Sequence, residues 1–179
     1  MPLIIFSLNL YANIPIDLKK DCKADKKESC NDIGVLYQMG KEIKKDYQKA
    51  KIFYIKACNL ESANGCRNLG DLYSFGQGVE LDYSKAEIYY IKAYRVNNDG
   101  ESCNSLGELY SIESWEEYNL TKSRTYYNKS CKLDNQDGCD GLQYILNKIE
   151  NIKVKEEEYI LLKKELDESV QEAELLEDI

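Results

Sequence analysis

The residues of this chain best equipped for chemistry are its seven cysteines, and histidine, the usual partner of a reactive thiol or a zinc ion, is absent. That absence removes Ser-His-Asp and Cys-His nucleophilic catalysis and every His-ligated zinc or haem site. What remains for cysteine is a disulfide, burial as a small apolar side chain, or thiolate ligation of a metal. Three pairs share one spacing: Cys22 and Cys30, Cys58 and Cys66, Cys131 and Cys139, each eight residues apart. There is no Cys-x-x-Cys and the pairs lie far apart along the chain, which argues against a metal and for three bridges across short turns. Cys103 lacks a counterpart, because Tyr94 stands where one would fall. It is expected to be a buried free thiol, with a reactive or intermolecular thiol as the alternatives, and it has no histidine base to activate it. No cofactor and no metal are expected.

The elements that carry these cysteines repeat with them. Cys30, Cys66, Cys103 and Cys139 follow one another at intervals of 36, 37 and 36 residues. Three, four, six and seven positions after each of the first three come an aliphatic residue, a glycine, a leucine and a tyrosine. They are Ile33, Gly34, Leu36 and Tyr37; Leu69, Gly70, Leu72 and Tyr73; Leu106, Gly107, Leu109 and Tyr110. This spacing predicts one apolar helix face used three times. Glycine inside a helix costs about 1 kcal/mol relative to alanine, so its recurrence predicts a close approach by a neighbouring helix. A second helix follows each time, over residues 46–57, 82–93 and 119–130, with Asp46, Asp82 and Asn119 suited to the N-cap. Glycines Gly40, Gly76 and Gly78 mark the turns between the two helices. Two prolines and fifteen tyrosines favour uninterrupted helices packed through amphipathic rings. A helix pair of about 36 residues cannot bury both of its apolar faces alone, and stacking successive pairs into an α-solenoid solves that.

These residues resemble the Sel1-like repeat, a relative of the tetratricopeptide repeat. Its Leu-Gly-x-Leu-Tyr-x-x-Gly-x-Gly-Val and Asp-x-x-Lys-Ala-x-x-Tyr-Tyr-x-Lys-Ala signatures are matched almost position for position between Leu69 and Ala93. With its paired cysteines the chain looks like the secreted Helicobacter cysteine-rich protein family. The resemblance covers about residues 16–147 and implies an all-α solenoid. Copy three departs: Glu113, Trp115 and Glu116 replace Gly76, Gly78 and Val79, so its turn must take another conformation. The fourth first-helix, with Gly141 and Gln143 out of step, looks like a terminal repeat. By resemblance the first helix of each pair lines a concave groove. Asn31 and Asp32, Arg67, Asn68 and Asp71, and Asn104, Ser105 and Glu108 would then face a peptide or extended ligand, Arg67 and Asn68 foremost. Ordinary solvated helix surface is the alternative for each of them.

Residues 1–12, MPLIIFSLNLYA, have the apolar core and Leu-Tyr-Ala end of a secretory signal but no basic n-region. Cleavage after Ala12 is expected, with a buried N-terminal segment as the alternative. A disulfide-stapled array over residues 13–147 would then work in the periplasm or outside the cell. Residues 148–179 read as an acidic amphipathic helix. Ile145, Ile149, Ile152, Tyr159, Leu162, Leu166, Val170 and Ala173 recur every three to seven positions between acids and lysines. This helix is expected to cap the last repeat, and a coiled-coil strand or a frayed end are the alternatives.

The formal charge is −8, and residues 150–179 alone hold eleven acids against four lysines. Without a basic stripe neither nucleic acid nor an anionic membrane is an expected partner, and no apolar run approaches the ~20 residues of a membrane span. The segment Glu117-x-Asn119-x-Thr121 also fits an acidic bacterial N-glycosylation sequon, a short match that arises by chance as well.

The resemblance also implies a β-lactam-binding or β-lactamase activity, which the residues do not support. No serine has lysine three positions later, Lys-Thr-Gly is absent, and a metallo-enzyme would need histidines. The expected function is a secreted or periplasmic scaffold for a protein or peptide, a host protein among the candidates. A β-lactam-binding protein or β-lactamase is the alternative, and an intracellular adaptor with reduced cysteines is the third reading.

Overall fold

The computed structural model describes residues 14–41 and 43–177, with side chains of the last helix described through Glu165. The described residues form α1 (Ile16–Lys23), α2 (Lys27–Met39), α3 (Tyr47–Asn59), α4 (Ala63–Ser74), α5 (Tyr83–Asn97), α6 (Gly100–Tyr110), α7 (Leu120–Lys132) and α8 (Gln136–Glu177). Strands are absent among these residues. The expected signal segment at residues 1–12 lies outside them.

Pairs α2–α3, α4–α5 and α6–α7 are helix hairpins stacked in chain order, an all-α solenoid. Inner helices α2, α4, α6 and α8 each touch the next inner helix, while the outer helices α3, α5 and α7 make no comparable contact with one another. A stack that is closer on one side curves toward that side, so the inner helices line the concave face.

Local chemistry sets the helix ends. Asp46, Asp82 and Asn119 cap α3, α5 and α7, their side chains accepting from the backbone N–H of Lys49, Lys85 and Lys122 at 3.0, 2.8 and 2.9 Å. Helix α2 stops at Gly40, whose φ of 67° needs no Cβ to be accommodated. Between repeats the left-handed residue is not glycine: Asp25, Glu61, Asn98 and Asp134 hold φ of 60°, 61°, 49° and 58° at equivalent turns.

The interior repeats one arrangement. Tyr54, Tyr90 and Tyr127 of the outer helices lie across Gly34, Gly70 and Gly107 of the inner ones. Beside them, Tyr37 stacks on Phe53, Tyr73 on Tyr89 and Tyr110 on Tyr126, with ring centroids 5.8, 5.7 and 5.6 Å apart. Lys49, Lys85 and Lys122 then cover the inner-helix rings at 5.3, 5.4 and 4.7 Å. Each stack sits at the inner-helix tyrosine that closes the sequence motif.

Copy three uses a different turn to the same end. Trp115 is buried against Tyr83 and Tyr110, centroids 6.1 and 5.3 Å away, and fills the space that Val79 plugs in copy two. The turn needs no positive φ, yet Asn119 N–H donates to the Tyr110 carbonyl at 2.9 Å, as Asp46 does to Tyr37 at 2.9 Å and Asp82 to Tyr73 at 3.0 Å.

Helix α8 runs through the boundary expected between the array and the tail. Its first turns are the inner helix that covers α6 and α7, with Ile145 buried, and they cap the array. No separate helix folds back: residues 150–165 continue the same helix and are exposed on every side. The boundary drawn at 147 falls inside it, because no glycine or proline after Gly141 interrupts the helix.

Candidate functional site: the concave groove

Inner-helix residues one, two and five positions after each cysteine form a stripe on the concave side. On α2, Asn31 is buried and Asp32 exposed. On α4, Arg67, Asn68 and Asp71 are half-buried; on α6, Asn104 and Ser105 are half-buried and Glu108 is exposed.

The structure joins four of these eight residues, Asn31, Arg67, Asn68 and Asp71, to a neighbouring helix. Asn68 Nδ2 donates to Asn31 Oδ1 at 2.8 Å, linking α4 to α2. Arg67 donates to Asn64 Oδ1 at 3.2 Å and pairs with Glu101 of α6. Asn104 Nδ2 donates to Glu108 Oε1 at 2.8 Å, while Asn104 Oδ1 is buried with no hydrogen-bond partner among the described residues. Asp32 and Ser105 take no part in this network. The outer-helix tyrosines reach it past the glycines: Tyr90 donates its hydroxyl to Asp71 Oδ1 at 2.7 Å, and Tyr54 donates to Gln38.

Burial raises the Asp71 carboxyl above the usual carboxylate range, and the Tyr90 hydroxyl and Arg67 only partly oppose it. Burial also raises Glu108; its bond from Asn104 opposes this, and the negative charges of Asp71 and Asp137 add to it. Two groove residues, Glu101 and Asp137, escaped the reading of the sequence. Both stand two positions before a repeat cysteine, so the register that placed Arg67 and Asn104 would have found them had the stripe been extended one turn.

Three disulfides hold the turns between repeats. Cys22–Cys30 ties α1 to α2, Cys58–Cys66 ties α3 to α4, and Cys131–Cys139 ties α7 to α8, with Cα atoms 4.7, 4.5 and 4.4 Å apart. The α5–α6 turn has none. Cys103 is a free, fully buried thiol there, and burial pushes its pKa up to about 11. A thiol so rarely ionised is a poor nucleophile. Asn119, the sequon asparagine, has its side-chain oxygen engaged as the α7 cap.

The Sel1 repeat profile matches residues 27–62, 63–98 and 100–135, one match for each hairpin from α2 to α7. The chain belongs to the Sel1 repeat family. Helices α1 and α8 flank the matched Sel1 repeats as single outer and inner helices. Among solved structures, Helicobacter pylori cysteine rich protein B shares 32% identity, over 69% of this chain and 93% of its own, with a TM-score of 0.54. A protective antigen of uropathogenic Escherichia coli with an SLR fold shares 30% identity, over 70% of this chain and 27% of its own, with a TM-score of 0.64. A Sel1 repeat protein from Oxalobacter formigenes, 20% identical over 70% of this chain and 51% of its own, with a TM-score of 0.62, shows likeness of fold alone. This Sel1 protein therefore spans about half of the Oxalobacter chain and about a quarter of the Escherichia coli antigen. No curated protein sequence matches it.

Proposed function

We propose that this Sel1 repeat protein is a disulfide-stapled scaffold, secreted or periplasmic, whose concave face holds a protein or an extended peptide. The observation that carries the reading is the inner-helix stripe. Arg67, Asn68, Asp71, Asn104 and Glu108 present polar groups on two consecutive inner helices, and the buried apolar clusters are complete without them. Repeated polar side chains on a curved surface suit the amides and side chains of an extended chain. Three disulfides support a place outside the cytoplasm, where thiols are otherwise kept reduced. Among the described residues no helix is long and apolar enough to cross a membrane.

Two measurements test this. Selection of a random-sequence peptide library on the oxidised protein should yield peptides whose binding is lost in Asn68→Ala and kept in Ile88→Ala, a change on the outer helix α5. Binding indifferent to both would remove the groove reading. Alkylating the thiols of protein from its native host, unfolded but not reduced, should label Cys103 alone. Seven labelled cysteines would instead favour the intracellular adaptor.

A further inference from the structure

We propose that the arm of α8 beyond the array pairs antiparallel with the same arm of a second copy, making the protein a two-fold symmetric homodimer. Residues 150–165 are helical and exposed on every side, with Tyr159 and Leu162 at 67% and 64%. A helix in water takes most of its stability from packing an apolar face, and this stretch buries none.

Its sequence holds such a face. Ile145, Ile152, Tyr159, Leu166 and Ala173 follow one another at intervals of seven, and Leu162 stands three positions after Tyr159. A seven-residue apolar repeat is the seam along which two helices wind together. Ile145 is buried against the array, and from Ile152 to Leu162 the seam is open to solvent.

The charges along its edges choose the partner, the direction and the register. In an antiparallel pair with two-fold symmetry, each edge of the seam meets the same edge of the other copy. With Tyr159 layered on Leu162 of the second copy, Glu156 lies beside Lys163 of that copy, and the symmetry makes this contact twice. Sliding one helix by seven residues would set Glu156 against Glu156 in one sense and Lys163 against Lys163 in the other. Near the opposite edge Lys155 falls opposite Leu166 of the second copy. Its stem lies over the seam, and its ammonium reaches between Glu158 of its own helix and Glu165 of the second copy. A parallel pair would instead set Lys155 against Lys155 inside the seam, where like charges repel.

Sedimentation velocity of the oxidised full chain over a concentration series is the test, and it should show a dimer that dissociates on dilution. Leu162→Glu should leave a monomer with the helical circular dichroism of the array retained, since Leu162 is exposed within its own chain. Leu161→Glu, on the far side of the same helix, should leave the dimer unchanged. Glu156→Lys and Lys163→Glu should each weaken dimerisation by about tenfold, and mixing the two variants should restore it, because each then meets its opposite charge. A monomer at every concentration would overturn the inference and leave the seam to a different protein. Restoration of Lys163→Glu by Glu158→Lys, in place of Glu156→Lys, would overturn the antiparallel direction. A dimer indifferent to all these changes would place the interface elsewhere and overturn the pairing of the arms.

Discussion

A Cβ atom built on Gly70 of α4 would lie 2.6 Å from Cε1 of Tyr90 on α5. The same relationship holds for Gly34 with Tyr54, at 2.5 Å, and for Gly107 with Tyr127, at 2.7 Å. In each hairpin the glycine is the socket for a buried ring, and the tyrosine, not backbone freedom, is the reason for it.

Gly70→Ala therefore sets two effects of opposite sign against each other. Helix propensity alone would stabilise by about 1 kcal/mol, whereas forcing a methyl group into a packed ring destabilises by about 1–3 kcal/mol. The buried ring has little room to move, so the net expectation is a lower urea midpoint. A raised midpoint would show that the interface yields and that the glycine is not a packing requirement.

Asp71 offers a pH-dependent test with a definite sign. Its folded-state pKa is raised, chiefly by burial, so between the unfolded and folded values the native state binds more protons than the unfolded chain. Its contribution is most favourable below the unfolded value, near 4, and is lost as pH rises through the folded value. Asp71→Asn keeps an acceptor for Tyr90 and removes the charge. It should be more stable than the parent at neutral pH, with the gap narrowing as acid is added. Denaturant titrations giving a constant gap across that range would contradict the account.

Cys103 is 0% exposed, and its pKa is raised by burial to about 11. Native protein should leave a disulfide-exchange reagent unconsumed at pH 8, and denaturant should release one thiol per chain. Rapid reaction of the folded protein would mean that the α5–α6 turn opens readily.

Each staple closes an eight-residue separation, for which loop closure in the unfolded chain gives about 2–3 kcal/mol. Replacing Cys58 and Cys66 together by alanine should lower stability by about that amount, with the helical circular dichroism signal retained at room temperature. Loss of the helical signal would make this bridge a condition of folding.

Trp115 is the one tryptophan and is 6% exposed. Its fluorescence should be blue-shifted in the native state and move to the red as copy three unfolds. Trp115→Ala should cost about 3–5 kcal/mol, because neither Tyr83 nor Tyr110 can fill the space alone. A loss below about 1 kcal/mol would mark the turn as peripheral.

Much of the fold is legible in the sequence because its causes are local. The repeat period, the caps at Asp46, Asp82 and Asn119 and the eight-residue spacing of the cysteines involve groups within a turn or two of one another. The recurring glycine also announces a close neighbour, since nothing else justifies it inside a helix. Which neighbour it meets is a tertiary matter, as are the burial of Trp115 in a turn that lost its glycines and the pairing of Arg67 with Glu101. The unbroken course of α8 belongs there too. An apolar stripe says that a helix has a face to cover, but whether it turns back depends on a chain break and a vacant surface, and residues 150–165 meet neither. The groove follows the same division. Its residue types are written along the chain, while the pairs they form, Asn68 with Asn31 and Arg67 with Glu101, exist only when the inner helices lie side by side, because polar and charged groups interact through distance in space and the sequence orders them along the backbone.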